Sequence, residues 1–92
     1  MASGIRERIV INLIKERANW VIGGYENSVS DGHMTEMPSA EEIKSEVYGE
    51  VIRSKHVEIG GGLIGVSKDI RFLGKDFIEA KISRIVDRIL SE

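Results

Sequence analysis

The chain has 92 residues and a net charge of −2 from 13 basic and 15 acidic side chains, which suits one small domain and excludes a strongly basic nucleic-acid coat. No cysteine is present, so disulfides, thiolate nucleophiles and cysteine-ligated zinc are excluded as well. With 41% hydrophobic and 30% charged residues, the composition is that of a folded chain rather than a disordered one.

The first apolar run, Ile9 to Ile14, is interrupted by Asn12 and ended by Lys15 and Glu16. It is too short for the core of a secretory signal or for a bilayer span. The cytoplasm is therefore the expected address, with no membrane contact.

Ser3 is a candidate cap for a first helix over about 4–30. Ile9, Leu13 and Trp20 fall on one helical line, Val10, Ile14, Ala18 and Val21 on the next, and Ile11 and Ile22 beside them. The apolar face so defined covers about half the circumference, more than one neighbour covers. Either two helices flank this one or part of its surface waits for another subunit. Gly23-Gly24 leaves two outcomes open, because two glycines inside a helix cost about 2 kcal/mol relative to alanine. The helix ends there with a glycine cap, or it continues through Tyr25 and Val29 to a stop near Asp31-Gly32. Continuation is favoured, since Tyr25 and Val29 extend the Ala18–Val21 line.

A polar loop holding the only proline, Pro38, follows. Ser39 and Glu42 then form a capping box, with Glu41 and Glu42 at the positive end of the helix dipole. Ile43, Val47, Tyr48, Val51 and Ile52 give the apolar stripe of a second helix over about 40–54.

Val57 and Ile59 alternate with polar residues, three glycines intervene, and Leu63, Ile64 and Val66 follow. This reads as a short glycine-rich hairpin or loop over about 56–66. A last helix over about 75–91 carries the stripe Phe77, Ile78, Ile82, Ile85, Val86, Ile89 and Leu90. Its start has two readings: Ser67 caps a helix that includes Ile70 and Leu73, or Gly74 separates an extended Ile70–Phe72 from a helix starting near Lys75. The expected fold is mainly α, with three helices and the hairpin before the last.

Chemistry-bearing patterns are few. Gly60 to Gly65 satisfies G-x-G-x-x-G, but 27 remaining residues cannot complete a dinucleotide-binding unit, so a turn or loop is expected. His33 lies among Glu26, Asp31 and Glu36 without any known ligand spacing, and no metal or cofactor is expected. No serine elbow or Ser-His-Asp spacing is present, so catalysis is not expected either.

Charge is unevenly spread: residues 1–52 hold 5 basic and 9 acidic side chains, residues 53–92 hold 8 and 6. Lys81, Arg84 and Arg88, three and four apart, form a ridge fit to meet an anion or an acidic partner, with Asp87 and Glu92 interrupting it. The acidic second helix meeting the basic last helix, within or between chains, would also account for the asymmetry. Trp20 and Tyr25 flank the double glycine, and with Ile11 and Ile22 they are the candidate partner-binding residues of the wide first face. The sequence therefore points to a non-catalytic interaction module that self-associates and docks another protein, with the look of a small bacterial or phage accessory protein. A DNA-binding regulator of winged-helix type, using the C-terminal half, is the alternative. It is disfavoured because its recognition helix would be the acidic second one.

Overall fold

The computed structural model describes residues 2–92, and the predicted cap at Ser3 rests on a side chain outside those described. In chain order the elements are α1 (Ala2–Ser30), α2 (Ala40–Arg53), β1 (His56–Ile59), β2 (Gly62–Gly65), α3 (Ser67–Leu73) and α4 (Lys75–Ser91). The mainly helical class matches the expectation, but there are four helices among the described residues rather than three. Both predicted starts of the last segment are partly right. A helix does begin at Ser67, with Val66 rather than Ser67 in the capping position. Gly74 then divides the segment: at φ +86 it takes a conformation that residues with a Cβ rarely adopt. Its N–H closes α3 on the Ile70 carbonyl, and its own carbonyl accepts from Ile78 to start α4.

α1 runs straight through Gly23-Gly24 and stops where the sequence suggested. The N–H of Gly32 donates to the Val29 carbonyl and that of His33 to the Ser28 carbonyl, with Gly32 at φ +81, which is a Schellman stop. Its 29 residues span about 44 Å at 1.5 Å per residue, which sets the 45 Å long axis of the molecule. α2, with 14 residues, and α4, with 17, reach only about half as far.

α2 begins at Ser39, whose hydroxyl accepts from the Glu42 N–H and donates to the Glu42 carboxylate, each at 3.2 Å. It runs antiparallel to α1, since Tyr25 meets Glu46 and Arg17 meets Ser54. Ser54 is buried and fully used: it donates to the Glu50 carbonyl at 2.7 Å and accepts from Arg17 Nε at 3.1 Å. The hairpin pairs His56 with Gly65 and Ile59 with Gly62, so Gly60 and Gly61, both at positive φ, form the two-residue turn. Val57 and Val66 anchor it in the core, while Leu63 is exposed.

The core is built on α1, which touches α2, α3, α4 and β1. Val10, Leu13, Ile14, Ala18 and Ile22 meet Ile43, Val47 and Val51 of α2 and Ile78, Ile82 and Val86 of α4 in one buried cluster. The wide face of α1 is thus closed by three helices and β1, one helix more than the sequence suggested. What it leaves open is Ile5, 63% exposed, and Trp20, 64% exposed. No helix among the described residues is long and apolar enough to cross a membrane.

Candidate interaction sites

The four residues predicted to meet a partner do not form one surface. Ile22 lies in the core at 1% exposure, so it belongs to folding and not to an outer face. Ile11 is half-buried on the α4 side of α1, next to Ile85. Trp20 and Tyr25 do come together, on the α2 side. They line a hollow of about 350 Å³ with Val21, Gly24, Ser28 and Met34, and Glu46 and Glu50 of α2 form its far wall.

The geometry of this first hollow follows from local sequence. A step of seven residues drifts about 20° around a straight helix, so Trp20 lies at the edge of the line that carries the buried Leu13. Gly24, one turn on, has no side chain to fill the space beside the indole, and a Cβ placed there would meet nothing within 4 Å. Met34 returns from the loop after α1 to close the end. Tyr25 donates its hydroxyl to the Glu46 carboxylate, and Glu50 pairs with Arg53 at 3.0 Å.

That tyrosine also has a pH consequence. Its phenol is held above the ordinary 10.0, first by the bond to Glu46, then by burial and the negative charges of Glu46 and Glu42. A phenol raised on folding contributes stability below its unfolded value and loses it as pH climbs through the folded one. The wild type is therefore expected to lose stability to denaturant, relative to Tyr25→Phe, as pH rises above the ordinary phenol value of 10.0. Parallel unfolding curves for the two proteins across that rise would contradict the bond.

A second hollow, about 180 Å³, lies on the other flank of α1, against α4. Ile11 and Ile85 are its apolar residues, and Lys15, Lys81, Arg84 and Arg88 surround it. Lys81, Arg84 and Arg88 of the predicted ridge thus line one hollow, joined by Lys15 from another helix. Lys81 also sits over the Phe77 ring at 5.3 Å. Asp87 does not interrupt the ridge, because it turns to Lys44 of α2 at 3.0 Å. That bridge runs opposite to the expected charge pairing of α2 with the last helix: the base comes from α2 and the acid from α4. It also raises the Lys44 pKa, chiefly through the bond to Asp87.

The remaining sequence candidates lie apart from both hollows. Among the described residues no group of three His, Cys, Asp or Glu is placed to hold a metal ion, so Glu26, Asp31, His33 and Glu36 do not converge. The glycine motif is spent on the hairpin turn and β2. Sequence reasoning placed the double glycine beside Trp20 but missed Met34, Glu46 and Glu50 there, and Lys15 and Ile85 beside the ridge. Of these, Lys15 had a readable sign, being one helical turn from Ile11.

Compared with protein-family models, with curated proteins and with solved structures, the chain matches none.

Proposed function

We propose that this chain is a non-catalytic protein–protein interaction module that self-associates through Trp20 and docks another protein. The observation that carries the reading is the indole of Trp20, 64% exposed on the one helix that organises the whole core. A large aromatic beside an unfilled hollow is the usual anchor of a protein interface. Area supports a second copy as the occupant. A compact chain of 10.2 kDa is expected to expose about 5,300 Å², whereas this one exposes 6086 Å². The excess, about 800 Å², is what one partner buries in an interface of standard size.

A winged-helix reading asks the helix ahead of the hairpin to enter a DNA groove. That helix is α2, which carries Glu41, Glu42, Glu46 and Glu50, the wrong sign for phosphate.

Sedimentation of the wild type is expected to show a mass above 10.2 kDa that falls on dilution. Trp20→Ala is expected to weaken association about 30-fold or more, the equivalent of at least about 2 kcal/mol for a central aromatic. Its circular dichroism should stay unchanged, since the side chain adds little to the core. A wild type that remains strictly monomeric at high micromolar concentration would remove the self-association.

A further inference from the structure

Four cations converge on the α1–α4 hollow, although the chain as a whole carries more acid than base. None of Lys15, Lys81, Arg84 and Arg88 has a carboxylate within ion-pairing distance among the described residues. Of the two acids adjacent to them in sequence, Asp87 is engaged by Lys44 and Glu16 by Arg17. Like charges gathered without counter-charge repel one another, a cost that an arriving anion relieves. The hollow they surround is not polar throughout, since half-buried Ile11 and Ile85 give it an apolar floor.

We infer that the α1–α4 hollow is the docking site for a short acidic segment of a partner protein that carries one apolar side chain between its carboxylates. This rests on the reading of the chain as a docking module and names the chemistry of its partner. Arg84 and Arg88 present planar forks that grip carboxylates two bonds at a time, and Lys15 and Lys81 add point charges on either side. An apolar cavity of about 150 Å³ takes a benzene-sized group, so about 180 Å³ receives one such side chain. From Lys81 to Arg88 the ridge runs about 10 Å along α4, the reach of three or four residues of extended chain. A nucleic acid is less well served. A phosphodiester gains nothing from the isoleucine floor, and a charge track about 10 Å long, about two turns of the helix, supplies few of the contacts that duplex binding needs.

The test uses fluorescent peptides of about twelve residues and the intact protein. One has a central Leu flanked by Asp and Glu, a second replaces that Leu with Ser, and a third replaces the acids with Asn and Gln. A short DNA duplex is the fourth probe. The first peptide is expected to bind and to shift the methyl resonances of Ile11 and Ile85. Losing the Leu is expected to weaken it about tenfold, and losing the acids to abolish binding. Arg84→Glu with Arg88→Glu should weaken it at least tenfold, and the milder Arg84→Gln with Arg88→Gln should do so in part, with unchanged thermal melts. Trp20→Ala should bind the peptide as the wild type does.

The inference is overturned if no peptide binds in a salt-sensitive way, if the ridge variants bind normally, or if the duplex binds tighter than the acidic peptide. It is also overturned if Trp20→Ala loses the peptide, which would place the segment in the other hollow. A ridge variant that fails to self-associate would identify the occupant as a second copy and not a partner. Sedimentation of the wild type stands apart from all of these, so loss of self-association and loss of this site are separately visible.

Discussion

Leu13→Ala is expected to destabilise the protein by about 3–5 kcal/mol, the upper part of the range for removing a leucine from a closed core. Leu13 has no exposed surface, and it sits mid-way along the helix that α2, α3, α4 and β1 all touch. Truncation there opens a cavity that no single neighbour can close, because each is also tied to the others. α2 is held to α1 through Arg17 and Ser54 and to α4 through Lys44 and Asp87. A chain of this length has about 5–14 kcal/mol of total stability, so the variant loses about a fifth of it or more. Its thermal midpoint should fall by about 15–30 °C. Ile5→Ala, on the same helix but 63% exposed, should change the midpoint little. Equal melting of the two variants would contradict the assignment of the core.

The opposite sign is expected at the double glycine. Gly23→Ala with Gly24→Ala should raise stability by about 2 kcal/mol, since both residues lie inside α1 and each glycine costs about 1 kcal/mol there. Neither position needs glycine for packing, because an added Cβ would meet nothing within 4 Å at either one. Neither has a positive φ. The fold thus bears a local destabilisation that it does not require. Beside Trp20 it has a use: Gly24 lines the hollow, and a methyl group there occupies space offered to a partner. The pair is therefore expected to melt higher and associate more weakly, a trade of activity for stability. Higher melting with association undiminished would separate the glycines from the site. Lower melting would mean that α1 is not a continuous helix at that point.

Much of the architecture was legible because it rests on local chemistry. Ser39 with Glu42 marks the start of α2, Gly60-Gly61 forms the turn of a hairpin, and Asp31-Gly32 stops α1, each through bonds made within a few residues. α3 was less legible for the same reason. It has seven residues, buries Ile70 alone and has no side-chain cap, so its existence depends on packing against α1 and on the turn at Gly74.

The sites were legible in kind but not in grouping. The Lys81, Arg84 and Arg88 spacing is a property of one helix, so it survives folding. That Lys15 joins them, and that Asp87 leaves them for Lys44, depends on which helices become neighbours. Trp20, Tyr25, Ile11 and Ile22 all belong to the apolar face of α1. Helical periodicity shows how wide that face is, but not which part each neighbour covers. Ile22 was covered and Trp20 was not.

Because the chain has one tryptophan, its fluorescence reports directly on the residue that carries the proposed interface. Emission and quenching by acrylamide should be followed as protein concentration rises from nanomolar to high micromolar. Burial of the indole against a second copy predicts a shift to shorter wavelength and falling quenching, both reversed by dilution. A spectrum and quenching constant that stay fixed over that range would contradict the account, leaving Trp20 as a side chain that meets only solvent.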